Sequence, residues 1–150
     1  MRILRDPTES AVNFVVRCAR QAADLYEDAR ERVSDPEVEA LFEALGRERR
    51  RLADRLSGVI ESMGKAPEAP DPDAESFHRL LNAARSVLGD ENRALLEDRA
   101  RAEADLGAAI EEALSRDPSP EARSLLEHAL RQVEIVRERL HSEASARGRG

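Results

Sequence analysis

The sequence has few aromatic residues, and this scarcity limits the kind of core that it can form. Phe, Trp and Tyr together make up 3% of the chain, and tryptophan is absent. A core must therefore be built from the aliphatic residues that dominate the 41% hydrophobic fraction. Glycine and proline are also sparse, whereas Ala, Leu, Glu and Arg are abundant. This composition favours long α-helices over sheets.

Cysteine and long apolar runs are scarce as well. The single cysteine, Cys18, excludes an internal disulfide and is typical of a protein in a reducing compartment. We expect Cys18 to be a small, partly buried residue and not a redox thiol. No segment approaches the length of a transmembrane helix, and the N-terminal stretch MRILRDPTES lacks the apolar region of a signal peptide. These absences predict a cytoplasmic protein without a membrane partner.

The chain also lacks an excess of positive charge. Its formal net charge is −7, which argues against nucleic acid and anionic membranes as partners. Glu48 and Asp54 lie among the arginines between Arg47 and Arg55, and a helix would distribute these arginines around its circumference as solvated side chains. A glycine-rich phosphate loop is absent from the sequence. A nucleotide-binding or DNA-binding module is therefore the least favoured function.

Helix starts and hydrophobic spacing are well marked. A capping side chain precedes a proline at Asp6-Pro7, Asp35-Pro36 and Ser119-Pro120, and Ser34 and Glu37 have the spacing of a capping box. Between these signals, apolar residues recur at intervals of three and four. The pattern predicts long helices over about 8–33, 36–63, 91–116 and 119–146, a shorter helix over about 74–88, and a flexible tail over 147–150.

The lengths of the connections predict the topology. Two short turns join the long helices into hairpins, and the segment between the hairpins is long and contains the Pro-rich stretch KAPEAPDPDAE. Two antiparallel hairpins with one long crossover form the connectivity of ferritin-like bundles. We therefore expect one all-α domain over 1–146, an antiparallel four-helix bundle with a shorter helix in the crossover.

The stretch EIVRERLH, residues 134–141, contains two overlapping patterns with opposite implications for metal chemistry. Glu138 and His141 have the spacing of a di-iron ligand pair, whereas Glu134 and Arg137 have the same spacing with a guanidinium in place of the imidazole. At about 100° per residue, Arg137 lies about 40° from the centre of the apolar stripe and Glu138 about 140° from it. The arginine-containing pair is therefore expected to face inwards.

Further polar residues interrupt the apolar stripes near the middle of the predicted helices. Glu48 lies beside the gap between Leu45 and Leu52, and Arg99 and Glu103 lie within the stripe of the third long helix. Buried charges destabilise a protein unless they are paired. We therefore predict a charge-balanced internal layer of Glu48, Arg99, Glu103, Glu134 and Arg137. The alternative is that some of these side chains extend outwards between the helices.

Three stretches carry a resemblance to a known family: LYEDARERVSDPEVEALFEALGRERRRLADRL (25–56), LLEDRARAEADLGAAIEEAL (95–114) and LLEHALRQVEIVRERL (125–140). They resemble bacterial ferritin-like four-helix-bundle proteins related to rubrerythrins, including an uncharacterised branch described as a domain of unknown function. In metal-binding relatives the second and fourth helices each supply an ExxH pair, and the first and third helices each supply a glutamate. The resemblance implies that Glu48, Glu103 and Glu134 match carboxylate positions, and that Arg51 and Arg137 stand where the relatives have histidine.

This departure leads to two hypotheses. Arginine keeps its proton and is not a metal ligand, so the leading hypothesis is a non-catalytic bundle with no cofactor and a vestigial di-iron site. Such a bundle would bind an unknown protein partner or form a homodimer. Phe14 is a candidate contact, and the slightly favoured alternative is that Phe14 packs against the N-terminal arm or the crossover helix. The alternative is a di-metal carboxylate protein that uses iron or manganese in iron or peroxide handling. Its ligands would be Glu27, Glu48, Glu103 and Glu134.

Overall fold

The structure, a computed structural model, describes residues 7–62 and 91–148. These residues form four helices: α1 (Pro7–Arg32), α2 (Pro36–Ser62), α3 (Glu91–Ser115) and α4 (Pro120–Gly148). Neither range contains a β-strand, and the predicted all-α class is confirmed. The helix predicted over about 74–88 lies outside the described residues. Within the two described ranges, none of the helices combines the length and the apolar character that spanning a bilayer requires.

The helices begin where the sequence supplies a proline and a capping group. A proline occupies the first position of three of them, namely Pro7, Pro36 and Pro120, where its missing N–H costs no helical hydrogen bond. At the start of α2, Oδ1 of Asp35 accepts a hydrogen bond from the amide of Glu37 at 2.9 Å. Asp35 therefore caps α2. The hydroxyl of Ser34, expected in a capping box, instead accepts a hydrogen bond from the side-chain amide of Asn92 at 3.1 Å.

The four helices form a bundle in which α1 packs against α2 and α3, and α4 packs against α3 and α2. Helices α1 and α3 are antiparallel, because hydrogen bonds join their opposite ends. The hydroxyl of Thr8 donates to the carbonyl of Arg116 at 2.6 Å, and the amide of Ser34 donates to Oδ1 of Asn92 at 3.1 Å. Helix α2 consequently ends at one end of the bundle and α3 begins at the other, as the predicted crossover connectivity requires.

The apolar core consists of two clusters, one towards each end of the bundle. The first cluster includes the fully buried Val15, Leu56, Ile110 and Leu126, and the second includes Tyr26, Phe42, Leu96 and Leu140. On α2 the second cluster ends at Leu45 and the first begins at Leu52, and on α3 the corresponding residues are Ala100 and Leu106. The level between the two clusters is where polar side chains enter the interior.

The last turn of α4 is joined to the α1–α2 turn through Arg147. Its guanidinium donates from Nε and Nη2 to Oδ2 of Asp35, at 3.0 and 2.5 Å, and from Nη1 to Oε1 of Glu143 at 2.7 Å. Helix α4 continues to Gly148. The ion pairs of Arg147 place its side chain against the neighbouring turn, and the flexible tail predicted over 147–150 stays a prediction.

The Arg147 cluster predicts a dependence of stability on pH. Hydrogen bonds from Arg147 lower the pKa of Asp35 and the pKa of Glu143 below their ordinary values of 3.8 and 4.5. Carboxylates with lowered pKa values stabilise the folded state above these ordinary values, and the contribution is lost as the pH falls through the folded-state values. In Arg147→Gln we expect a lower Tm at neutral pH and a shallower loss of Tm on acidification than in the wild type.

Thermal unfolding followed by circular dichroism across the acid range measures this effect. Arg123→Gln is the matched control, because Arg123 pairs with Asp117, whose side chain is 96% exposed, and such pairs contribute little stability. A profile of Tm against pH for Arg147→Gln that runs parallel to the wild-type profile would contradict the prediction.

Candidate functional site

A buried ion pair lies across the centre of the bundle, between the diagonally placed helices α2 and α3. Arg49 on α2 is 3% exposed and Glu103 on α3 is fully buried. Nε of Arg49 donates to Oε2 of Glu103 at 2.9 Å, and Nη2 donates to Oε1 at 2.5 Å. Two parallel hydrogen bonds between a guanidinium and a carboxylate form a strong and geometrically specific contact. Each charge thus compensates for the burial of the other.

Tyr26 on α1 completes the coordination of Glu103. Its hydroxyl donates to Oε2 of Glu103 at 2.8 Å, and its ring packs against Phe42 with the centroids 5.6 Å apart. Glu103 therefore accepts three hydrogen bonds from two helices, and one carboxylate connects α1, α2 and α3.

The protonation states of this network follow from burial and charge. Burial raises the pKa of Tyr26 well above its ordinary value of 10.0, and the negative charge of Glu103 raises it further. Burial alone would lower the pKa of Arg49, but the hydrogen bonds and charge of Glu103 outweigh burial and raise it. The site therefore contains a neutral phenol, a cationic guanidinium and the carboxylate that accepts their hydrogen bonds.

A second buried arginine, Arg99, lies over the Tyr26 ring. Arg99 is 3% exposed, and its Nη2 donates to Oδ2 of Asp98 at 2.8 Å. Its guanidinium carbon lies 5.7 Å from the centroid of the Tyr26 ring, within range of a cation–π contact. Nε and Nη1 of Arg99 are buried without a hydrogen-bond partner in the described ranges. The positive charge of Arg99 is thus compensated by Asp98 and the ring of Tyr26, but less completely than the charge of Arg49 is compensated by Glu103.

The predicted internal layer is only partly internal. Arg99 and Glu103 are buried, but the side chains of Glu48 and Glu134 are 55% and 60% exposed. The expectation that Glu48 and Glu134 lie inside was wrong. Each forms a surface pair within its own helix, Glu48 with Arg51 at 2.8 Å and Glu134 with Arg137 at 3.7 Å. These pairs use the spacing of three residues that places two side chains on one helix face.

Arg137 lies at the boundary between interior and solvent. Its Nε is buried without a hydrogen-bond partner in the part of the chain that the structure describes, while its side chain as a whole is 37% exposed. The guanidinium extends towards Glu134 at the surface. This is the outward extension that the sequence left open as an alternative.

Arg49 is the central residue that the sequence analysis placed wrongly, because it was expected among the solvated arginines of residues 47–55 and is instead buried. It lies four residues after Leu45 and three before Leu52, so it continues the buried stripe of α2. Glu48 is about 100° away on the same helix and therefore faces solvent. The spacing from both leucines was the signal that could have identified Arg49. No comparable signal in the sequence pairs the hydroxyl of Tyr26 with Glu103, because the two residues are 77 positions apart along the chain.

The carboxylates of the alternative hypothesis do not converge. Glu27 is 64% exposed and pairs with Arg50 at 3.5 Å, and Glu48 and Glu134 lie on the surfaces of two other helices. Across residues 7–62 and 91–148, no group of three or more His, Cys, Asp or Glu side chains is arranged to hold a metal ion. Glu103 is already bonded to a cation and a phenol. The residues at the centre of the bundle therefore do not fit a di-metal centre.

Cys18 does not provide an alternative reactive group. Burial raises the pKa of its thiol to about 11. The thiol is therefore protonated at neutral pH, and a protonated thiol is a poor nucleophile and metal ligand.

Comparisons with known proteins agree with this architecture. A family model described as "Domain of unknown function (DUF2383)" matches residues 8–116. A two-domain protein from Anabaena variabilis, containing DJ-1/ThiJ/PfpI-like and ferritin-like domains, has a similar structure with a TM-score of 0.75 and 15% identity. The similarity covers 95% of this chain and 37% of the Anabaena protein, so the chain spans just over a third of that protein's length.

The conserved hypothetical protein Rv2844 from Mycobacterium tuberculosis is similar over nearly its whole length. Its TM-score is 0.73 at 12% identity, covering 93% of this chain and 98% of that one. Comparison with curated proteins gave no match. At such identities the similarity concerns the fold, and the predicted ferritin-like four-helix bundle is confirmed.

The buried ion pair predicts strongly non-additive effects on stability. Glu103→Leu leaves Arg49 charged and buried and removes the acceptor of Tyr26, so we expect a loss of about 3–5 kcal/mol in the free energy of unfolding. The double variant Arg49→Met/Glu103→Leu should recover the part of this loss that comes from the unpaired charge of Arg49, whereas the hydroxyl of Tyr26 stays without its acceptor. Urea unfolding measures the free energy of unfolding of the single and the double variant.

Arg51→Met/Glu48→Leu, at the surface pair, is the control and should change the free energy of unfolding by less than about 1 kcal/mol. A double variant as unstable as Glu103→Leu would disprove the prediction.

The buried phenol predicts resistance to ionisation. Tyr26 is the only tyrosine and the chain has no tryptophan, so the absorbance of tyrosinate reports on this side chain alone. A raised folded-state pKa gives stability that is present below the unfolded value and lost as the pH rises above it. We expect tyrosinate to appear only together with alkaline unfolding, and Tyr26→Phe to cost about 1.5–3 kcal/mol through the lost bond to a charged acceptor. Ionisation near pH 10.0, the ordinary value, with the helical circular dichroism intact would refute this.

Proposed function

This chain belongs to the DUF2383 family, a domain of unknown function, and we propose that it is a non-catalytic ferritin-like bundle that acts by binding another protein chain. The proposal has two parts. The interior stabilises the bundle and performs no metal chemistry. The outer helix faces carry the activity, which is association with a partner.

The state of Glu103 is the observation that carries the first part. Both of its oxygens accept hydrogen bonds from Arg49, and one of them also accepts the hydroxyl of Tyr26. A metal ion at this carboxylate would have to displace a buried cation that is itself 3% exposed. Arg49 would then remain buried beside a second positive charge, at a cost of several kcal/mol.

The resemblance to rubrerythrin-related bundles is the basis for an inference about how the pair of Arg49 and Glu103 arose. We infer that the bundle is derived from a carboxylate metal centre in which Glu103 has been retained. Arg49 now supplies the positive charge that a metal ion would supply, and Arg99 adds a second cation that Asp98 partly balances. In this interpretation the site is vestigial, and its remaining role is to hold the helices together.

Two features of the known proteins and of this chain support a binding role. The Anabaena protein joins a ferritin-like domain to a DJ-1/ThiJ/PfpI-like domain, so a bundle with this fold occurs beside a second domain. In the present chain, the residues at the bundle centre include neither an activated nucleophile nor a free pair of carboxylates within the described ranges. Among the described residues, the surface is therefore the part that is left for a specific function.

Metal retention tests the proposal. The purified protein is loaded with Fe(II), Mn(II) or Zn(II) and desalted, and its metal content is measured by mass spectrometry. We expect substoichiometric metal, the same amount in Glu103→Gln, and no rise in Tm on metal addition, because a ligand that binds only the folded state must stabilise it.

Glu112→Gln serves as the matched control, since Glu112 is a surface carboxylate of α3, 56% exposed, that is a ligand in neither hypothesis. Stoichiometric metal that is retained by Glu112→Gln and lost in Glu103→Gln would overturn the proposal in favour of the di-metal alternative. A small amount of metal that both variants retain equally would indicate weak binding at surface carboxylates and would leave the interior free of metal, as proposed.

A further inference from the structure

One surface of α4 differs from the rest of the bundle exterior. We define the α4 outer face by five exposed residues that lie on one side of the helix: Ser124, Arg131, Ile135, Glu138 and Ser142. Their spacings of seven, four, three and four residues place them within a narrow stripe opposite the buried stripe of α4. Ile135 lies at the middle of this stripe, flanked by one cation and one anion.

Ile135 is 60% exposed. Phe14 is the other exposed large hydrophobic residue of the described ranges, at 45%, and the guanidinium of Arg17 lies 5.2 Å from the centroid of its ring. Phe14 thus already has a partner within the chain. A single exposed aliphatic residue is common on protein surfaces, and the charges around Ile135 distinguish this one.

Arg131 is distinctive among the arginines of α4. The others all have a carboxylate oxygen within 4 Å, namely Arg123, Arg137, Arg139 and Arg147. No ion pair is formed by Arg131 or by Glu138 with any residue of the two described ranges. Both side chains are exposed, and each is available to a partner that approaches the α4 outer face.

We infer that a second copy of this chain binds the α4 outer face, with the two α4 helices antiparallel about a twofold axis beside Ile135. Arg131 lies four residues before Ile135 and Glu138 lies three after it. An antiparallel arrangement therefore places Arg131 of each copy opposite Glu138 of the other. The two Ile135 side chains meet between these ion pairs, and Ser124 and Ser142 leave room for the backbones to approach.

The self-complementary pattern identifies a second copy as the occupant. A twofold axis presents the same surface from both sides, so it requires a cation and an anion at matching distances from the centre. An acidic partner would leave Glu138 opposed by like charge, and a basic partner would do the same to Arg131. One helix pair buries less than the roughly 1,600 Å² of a standard interface, so we expect dissociation constants on the order of micromolar.

This inference rests on the proposed binding function and names its partner. The two proposals fail separately, because metal retention is measured on the interior and does not depend on oligomeric state. A monomer without metal would remove only the inference, and a dimer that retains metal through Glu103 would remove only the proposed non-metal interior.

Sedimentation velocity over a range of protein concentrations tests the inference. We expect a monomer–dimer equilibrium in the wild type. Ile135→Lys and Arg131→Glu should each raise the dissociation constant at least about tenfold, since every substitution occurs twice at a twofold interface. The exchange variant Arg131→Glu/Glu138→Arg should restore dimerisation, because it reverses both ion pairs.

Arg55→Glu makes the same change of charge on the exposed surface of α2, and Phe14→Lys makes the same apolar-to-lysine change on α1. Both controls should dimerise as the wild type does. Circular dichroism verifies that every variant is folded. A wild-type protein that remains monomeric into the high micromolar range would overturn the inference. A dimer that is unaffected by Ile135→Lys, or that the exchange variant fails to restore, would overturn it as well.

Discussion

The contact between Arg49 and Glu103 is the interaction on which the arrangement of the bundle depends. It crosses the bundle axis between helices that are not neighbours, and it is joined at Glu103 by Tyr26 of a third helix. Apolar stripes tolerate small shifts of one helix against another, because leucine and valine contacts are not directional. A bidentate ion pair does not tolerate such shifts, since a change of one residue in the register of either helix moves its charged side chain by about 100° around the helix axis. The pair therefore specifies the relative rotation and height of α2 and α3, while the two apolar clusters on either side provide most of the stability.

The same contact determines which chemistry the interior can perform. A ferritin-like bundle that binds metal needs several carboxylates facing one another, and their mutual repulsion is relieved by the metal. Here one carboxylate faces an arginine, and the charge is balanced without a metal ion. The other carboxylates that the sequence made candidates belong to surface pairs, such as Glu48 with Arg51. The molecule thus resembles metal-binding bundles in its helices and departs from them in the few side chains at its centre.

Charge pairing also organises the ends and the exterior of the bundle. Arg147 joins the last turn of α4 to the turn between α1 and α2, and most arginines of α4 are neutralised within the chain. Against this background Arg131 and Glu138, which form no ion pair within the described ranges, leave the charges beside Ile135 open to the second copy that we propose. The charge pairing of the exterior is therefore uneven, although composition alone describes it as uniformly charged.

The sequence by itself determined the local features of this protein. Proline and capping residues at Pro7, Pro36 and Pro120 define the helix starts, the spacing of apolar residues defines the stripes, and the connection lengths define the topology. Arg99 and Glu103 could be placed inside because each interrupts a continuous stripe. Tertiary structure decided between neighbours such as Glu48 and Arg49, which differ by one position and therefore by about 100° around the helix. It also brought Tyr26 to Glu103 and Arg147 to Asp35. Such contacts depend on how separate helices pack, and helical periodicity describes only one helix at a time.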